Sequence, residues 1–522
     1  MRYAAGILIL ASALVFLSAI FAEDAPPAQP PEQPPAENPE KPKPVPLPPP
    51  RVAFKCVDSF STTSKAALPT SVAMASCMDK DGNLYVALEC KKIEGEKPVV
   101  LPGGLFVRTA KGATYTYNTK SKPPIPADNA EHVWKDEAAG ILYVATGTAG
   151  LALIDTKGTP EDQADDTVTV YSMMGVVDYT NGPKKQPDSY SPSIGADNVV
   201  YSWMDPDTRD LLICAGGLST WKGGLTVLVY DKDKSAYTKS YTYRAINITL
   251  DRSDRKPLQQ GVFDTTQCYR PDVELMIGGK MIRKLGNFGE NQFCWRAFRD
   301  NESGLIYLAR RDTYDADIQA TPGFNYDGGL TIIDTKKTPD PRDDEATYLH
   351  VSSNPPLPTT SVMDLRLDKE TGDLYVATLD LQSAFPDRFG GLTIIRKDKT
   401  AVTYEDKGLY DTSANDTHKL LDAGKALHSA FVLASIKDAS GDIFVLADQG
   451  IDVIHKDGFV SRVPLKLFKN LPVMPANNIL WAQTGWVDSD GRLYICAADY
   501  GTLGVLILEI IPYKPEDAPK QP

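Results

Sequence analysis

Histidine is scarce in this chain: five in 522 residues, at 132, 350, 418, 428 and 455. Metal centres and acid/base sites draw mostly on histidine or on paired carboxylates within reach, so this shortage weighs against both. No pair among the seven cysteines has the CxxC spacing of a zinc site. Nucleophile motifs, phosphate-binding loops and nicotinamide fingerprints are missing as well. Lys and Arg do not cluster among aromatics, and a formal net charge of −13 repels phosphate backbones, which argues against nucleic acid as a partner. The expectation is a protein without catalytic residue, metal or cofactor.

Long apolar runs are confined to the start. "MRYAAGILILASALVFLSAIFAED" carries one Arg, then an apolar run over residues 4–22, then acid. That is the pattern of an export signal ending at residue 22, although the run is also long enough to stay as an uncleaved membrane anchor. Residues 23–50 hold 13 Pro in 28 positions and no aromatic, so they cannot pack a core. They read as an extended polyproline linker, with a ligand for a proline-reading domain as the lesser alternative.

Cysteines in an exported chain invite disulfides. Cys214 and Cys496 stand where other repeats have Ala, so they read as small core residues. Cys268 and Cys294 flank one long insertion and are the expected bridge.

What the chain has in abundance is repetition. Seven heads of the type "DKDGNLYVA" begin at Asp79, Asp136, Asp205, Asp300, Asp368, Asp438 and Asp488, and most are followed by a tail of the type "GGLTII". An apolar stretch precedes each Asp, and an alternating polar/aromatic one usually follows the tail. Four short strands joined by turn residues make one propeller blade. The D-x-x-G group reads as a hairpin turn, with Asp capping the backbone and Gly supplying positive φ. A calcium loop would need about six oxygen ligands, which "DASGD" and "DEAAG" do not supply. The last unit stops after its third strand, and residues 52–60 match the strand that is missing. The expected fold is all-β: a seven-bladed β-propeller of four-stranded antiparallel blades over residues 51–513, closed by an N-terminal strand completing the last blade and followed by a tail, 514–522.

These Asp…Gly…apolar strand…Gly-Gly-Leu units resemble the extracytoplasmic propeller repeats of two-component regulator sensors, and more distantly the YVTN-type repeats of bacterial surface propellers. The large aromatic after the hairpin is mostly Tyr here, at Tyr85, Tyr143, Tyr307, Tyr375 and Tyr494. The resemblance covers residues 51–513 and implies a ligand- or partner-binding propeller. No kinase or response-regulator segment follows, so signalling within the same polypeptide is not expected.

In an antiparallel blade with strands A to D, the B–C and D–A connections share one face and the A–B turns occupy the other. The long insertions fall on the first. Binding-face candidates there are Trp221, Tyr314, Phe324, Tyr326, Phe385, Arg388 and Tyr500, since aromatics and Arg anchor interfaces; packing of the loops against one another is the bland alternative. The residue four before each head Asp gives a row of Ala75, His132, Tyr201, Arg296, Asp364, Ala434 and Thr484. His132, Arg296 and Asp364 are the axial-channel candidates, for a small ligand or for ring-fixing buried bonds. Residues 415–431, if helical, would put His418 and Asp422 on one face. "NIT" at Asn247, "NES" at Asn301 and "NDT" at Asn415 are glycan acceptors only in a eukaryotic secretory route.

The expected function is a non-catalytic binding or scaffold propeller, exported to the periplasm, cell surface or medium, engaging an envelope or extracellular protein or a glycan. Membrane contact is expected only through an uncleaved N-terminal segment. The rival is a secreted lyase or hydrolase using the same face or the channel; loss of turnover on substituting His132, Arg296 and Asp364 would identify it. A calcium-stabilised adhesin would instead melt earlier with chelator.

Overall fold

Each repeat folds as one antiparallel sheet whose strands run in chain order. The computed structural model describes residues 48–93, 99–182, 192–216, 224–245, 272–277, 280–287, 294–310, 329–349, 353–359, 361–379, 390–414, 418–472, 480, 482–497 and 503–514. Blade 1 comprises strand A (Ala73–Met78), B (Leu84–Leu88), C (Gly104–Arg108) and D (Thr114–Tyr117). Strands A of blades 2 to 7 are His132–Asp136, Val199–Met204, Cys294–Asp300, Val362–Leu367, Val432–Lys437 and Ala482–Val487. Strand B is buried along its whole length in blade 1, blade 3 and blades 5 to 7, because neighbouring blades cover both of its faces. That is why these segments read as continuous apolar runs rather than alternations.

The hydrophobic effect acts at the junctions. Seven main clusters of buried side chains each join two consecutive blades, the last one joining blade 7 back to blade 1 through Tyr494, Cys496, Val505, Leu84, Val86 and Phe106. The ring is closed, and the fold is the seven-bladed propeller. Blade 7 consists of Ala482–Val487, Leu493–Ala497, Val505–Pro512 and, as its fourth strand, Val52–Phe60. Val52 pairs opposite Pro512 and Phe60 opposite Val505, with a bulge between Cys56 and Asp58.

The blades are not uniformly four-stranded. Blade 2 adds Gly175–Asp178, blade 3 adds Asp272–Ile277 and Lys280–Asn287, and blade 5 adds Gly408–Asp411 and Lys419–Asp422. Parts of the long D–A insertions thus continue the sheet outward, where they satisfy the hydrogen bonds of an otherwise open edge. Residues 418–431, the described part of 415–431, form no α-helix that would put His418 and Asp422 on one face. Lys419–Asp422 is a strand, and His418 bonds Glu405 Oε1 at 2.9 Å and stacks on Tyr410.

The head aspartates fix the short turns. Asp79 Oδ1 accepts from the N–H groups of Asp81 and Asn83, and Gly82 takes φ +86°. Its Oδ2 accepts from the Tyr85 hydroxyl and from Lys135 Nζ at 2.5 Å. Lys135 belongs to the next blade, one residue before that blade's own head Asp. Arg299 reaches Asp205 and Lys437 reaches Asp368 from the same position in blades 4 and 6. A second link uses the residue two before the head: Trp134 and Trp486 stack on Tyr143 and Tyr494 of their own blades, and their indole N–H groups donate to Ser202 and Ser76 of the next.

Candidate functional site

The two faces of the ring differ in what they carry. The A–B turns occupy only 79–83, 137–140, 205–210, 301–304, 368–373, 438–442 and 488–492. The C–D turns beside them are also short, apart from 156–166 and 335–344. Strands B and D end, and strands C and A begin, on the opposite face; the chain between those ends is longest from Ala245 to Cys294. A sequence count of strands sufficed to sort them, because antiparallel strands return alternate connections to one side.

The seven binding-face candidates lie outside the described residues: Trp221 in 217–223, Tyr314, Phe324 and Tyr326 in 311–328, Phe385 and Arg388 in 380–389, and Tyr500 in 498–502. Sequence reasoning passed over other side chains on this face. Val99, Val100 and Met174 are 53 %, 59 % and 64 % exposed, on the B–C ribbon of blade 1 and the outer hairpin of blade 2. Their sequence signal is the adjacent apolar pairs Val99–Val100 and Met173–Met174, which lie outside the repeat.

At the axis, the row of seven occupies one register position. Ala75, His132, Tyr201, Arg296, Asp364, Ala434 and Thr484 pair with the corresponding residues of strand B: Ala87, Ala145, Cys214, Ala309, Ala377, Leu446 and Cys496. The structure brings the three axial candidates into one group. Arg296 donates to Asp364 Oδ1 at 2.7 Å and across the ring to the Gln483 carbonyl at 3.3 Å. Asp364 Oδ2 accepts from the Ser435 N–H at 3.0 Å. Tyr201 lies between His132 and Arg296, its ring centre 4.2 Å from the imidazole and 5.6 Å from the guanidinium. The cavity among His132, Tyr201, Arg296, Gln483 and Thr484 is about 20 Å³ as seen by a water-sized sphere, room for roughly one ordered water rather than an organic substrate.

Burial, reinforced by the Arg296 charge, pushes His132 down to about 3, so the imidazole is neutral and its Nδ1 has no hydrogen-bond partner. This has a measurable consequence. A folded value below the ordinary 6.5 means stability that is present above pH 6.5 and lost as pH falls toward 3. His132→Phe keeps the stack on Tyr201 and removes that loss. Relative to wild type, the variant should gain about 2 kcal/mol on going from pH 7 to 5 in urea titrations. The difference matters because Asp166, which burial pushes up to about 6, contributes with the opposite sign. Parallel curves for the two proteins would contradict the assignment.

One further constellation has the order of a nucleophile–base–acid relay. His455 bonds Asp442 Oδ2 through Nδ1 at 2.7 Å and Ser461 Oγ through Nε2 at 2.8 Å. Ser461 is 0 % exposed, and its Oγ also accepts the Arg51 N–H at 2.8 Å. The relay therefore holds the start of the N-terminal strand and presents no accessible nucleophile. Arg51 is further fixed by Asp457 at 2.7 Å and by the Phe459 ring at 4.0 Å.

Cys294 carries a free thiol, and its expected partner Cys268 lies outside the described residues. Cys214 and Cys496 are fully buried, as small core residues should be. Among the described residues no group of three potential metal ligands converges.

No family model and no curated protein matches the chain. Solved structures do. The extracellular domain of BT4673 from B. thetaiotaomicron matches at 13% identity over 88% of this chain and 73% of that one, with a TM-score of 0.21. PorZ, a surface component of the type-IX secretion system of Porphyromonas gingivalis, matches at 12% over 84% and 52%, with 0.38. Sqt1 of Saccharomyces cerevisiae matches at 9% over 88% and 100%, with 0.43. At such identities and scores the likeness carries no argument about activity.

Proposed function

We propose that this protein is an exported, non-catalytic binding or scaffold module of the cell envelope that engages a protein or a glycan through its long-loop face. The observation that carries this reading is where the chain enters and leaves the ring. Strand C of blade 7 runs from the loop face at Val505 to the turn face at Pro512, and Val52 pairs opposite Pro512. Residues 48–51, which lead into this strand, therefore lie on the turn face, opposite the face where strands B and D end. With chain entry on the turn face, the loop face is the side we assign to a partner. Exposed Val99, Val100 and Met174 add apolar contact area to that face in adjacent blades. The bonds among Arg296, Asp364, Ser435 and Gln483 support a ring-fixing role for the axial group over a substrate site.

The test is affinity capture of envelope proteins, with a glycan array in parallel, using wild type and two variants. Joint substitution Val99→Ser, Val100→Ser, Met174→Ser, or Trp221→Ala with Phe385→Ala, should weaken capture by at least about tenfold. Substitution of the turn-face residues Lys111 and Lys336 should leave it unchanged. Equal loss from the turn-face variant would overturn the proposal.

A further inference from the structure

We infer that Cys214 and Cys294 join as a disulfide between blades 3 and 4 when the chain folds under oxidising conditions. Cys214 sits in strand B of blade 3 (Leu211–Ala215), and Cys294 opens strand A of blade 4. Both belong to the buried cluster that joins these blades, and neither is more than 2 % exposed. The two strands that carry them pack directly on each other, and Cys214 is among the groups that act on the Cys294 thiol.

The other described thiols behave differently. Cys56 donates to the Asp58 carbonyl, Cys90 to the Asp128 carbonyl and Cys496 to Ser76 Oγ. Cys77 lies beside Asp79 and Lys135. At the register position of Cys214, blades 1, 2, 4 and 5 carry Ala87, Ala145, Ala309 and Ala377, so packing at this position does not require a sulfur.

The chemistry balances simply. Each thiol gives up its hydrogen and the two sulfurs bond; two protons and two electrons pass to a disulfide oxidant, oxidised glutathione or a thiol–disulfide oxidoreductase, which leaves as dithiol. Burial raises the Cys294 thiol well above its ordinary range, so it reacts poorly once the blades have packed. The bond therefore forms before the junction closes. It encloses residues 215–293, which include strands C and D of blade 3 and its two edge strands, and a long enclosed loop favours a large gain over the reduced chain. Export supplies the oxidant in the cell, but the pairing does not depend on what the loop face binds.

The experiment refolds the full chain from denaturant in a glutathione redox buffer, blocks free thiols by alkylation and digests without reductant. The expected species is one cross-linked peptide pair carrying Cys214 and Cys294, two hydrogens lighter than the two thiol peptides together. Reduction should lower the melting temperature by about 5 °C or more. Cys214→Ala and Cys294→Ala should each abolish both signals, and Cys496→Ala neither. Complete alkylation of both cysteines, or a bond from either to Cys268, overturns the inference.

Discussion

Starting the chain at Ser61 instead of Pro49 is expected to lower its melting temperature by at least about 10 °C and to raise its association state. The strand Val52–Phe60 closes the ring in two ways. Its backbone covers the edge of Val505–Pro512, which would otherwise offer unpaired N–H and C=O groups to another chain. Its side chains complete two junctions: Phe54, 0 % exposed, packs on Phe444 and Phe468 of blade 6, and Phe60 belongs to the cluster between blades 7 and 1. Phe54→Ala alone should cost about 3–5 kcal/mol by the cavity it leaves. Losing both rings and the strand pairing must cost more, and calorimetry with light scattering measures both effects. A truncated protein that melts like wild type and keeps the wild-type association state would show that the ring holds without its clasp.

Arg296→Met is the second large effect. The substitution leaves Asp364, 1 % exposed at its side chain, with a buried charge and only the Ser435 N–H and the more distant Arg366 to compensate it. Breaking a buried pair from one side typically costs about 3–5 kcal/mol, whereas replacing both partners by apolar groups is often nearly neutral. The double variant Arg296→Met, Asp364→Leu should therefore regain most of the loss in urea titrations. If the double variant is as unstable as the single one, the pair has a role other than neutralising Asp364.

Much of the architecture was legible because each blade is a local object. Strand length, the D-x-x-G turn and the Gly-Gly-Leu tail recur within about one blade's length of chain, and an unfinished last unit with a spare strand at the start implies closure. The row four before each head Asp could be aligned from the repeat alone, and it shares one register position in all seven blades. The cation one residue before the head could have been read the same way. It was not, because its partner, the Asp of the preceding blade, lies more than fifty residues back: Lys135 reaches Asp79 and Lys437 reaches Asp368. The shared helical face considered for His418 and Asp422 does not form for a related reason. Lys419–Asp422 pairs with Gly408–Asp411 at the rim of blade 5, and sheet hydrogen bonding outweighed a local helical spacing.

Residue order by itself determined the number of blades, the direction of each strand and hence which face collects the long connections, since these follow from hydrogen bonds and turns between neighbours along the chain. Only the closed ring decided that Arg296 meets Asp364 and Gln483, that Cys294 enters the same buried cluster as Cys214, and that Ser461 receives Arg51. Those contacts join positions 68, 187, 80 and 410 residues apart. They arise where the packing of whole sheets sets the angle between blades, which no local pattern encodes.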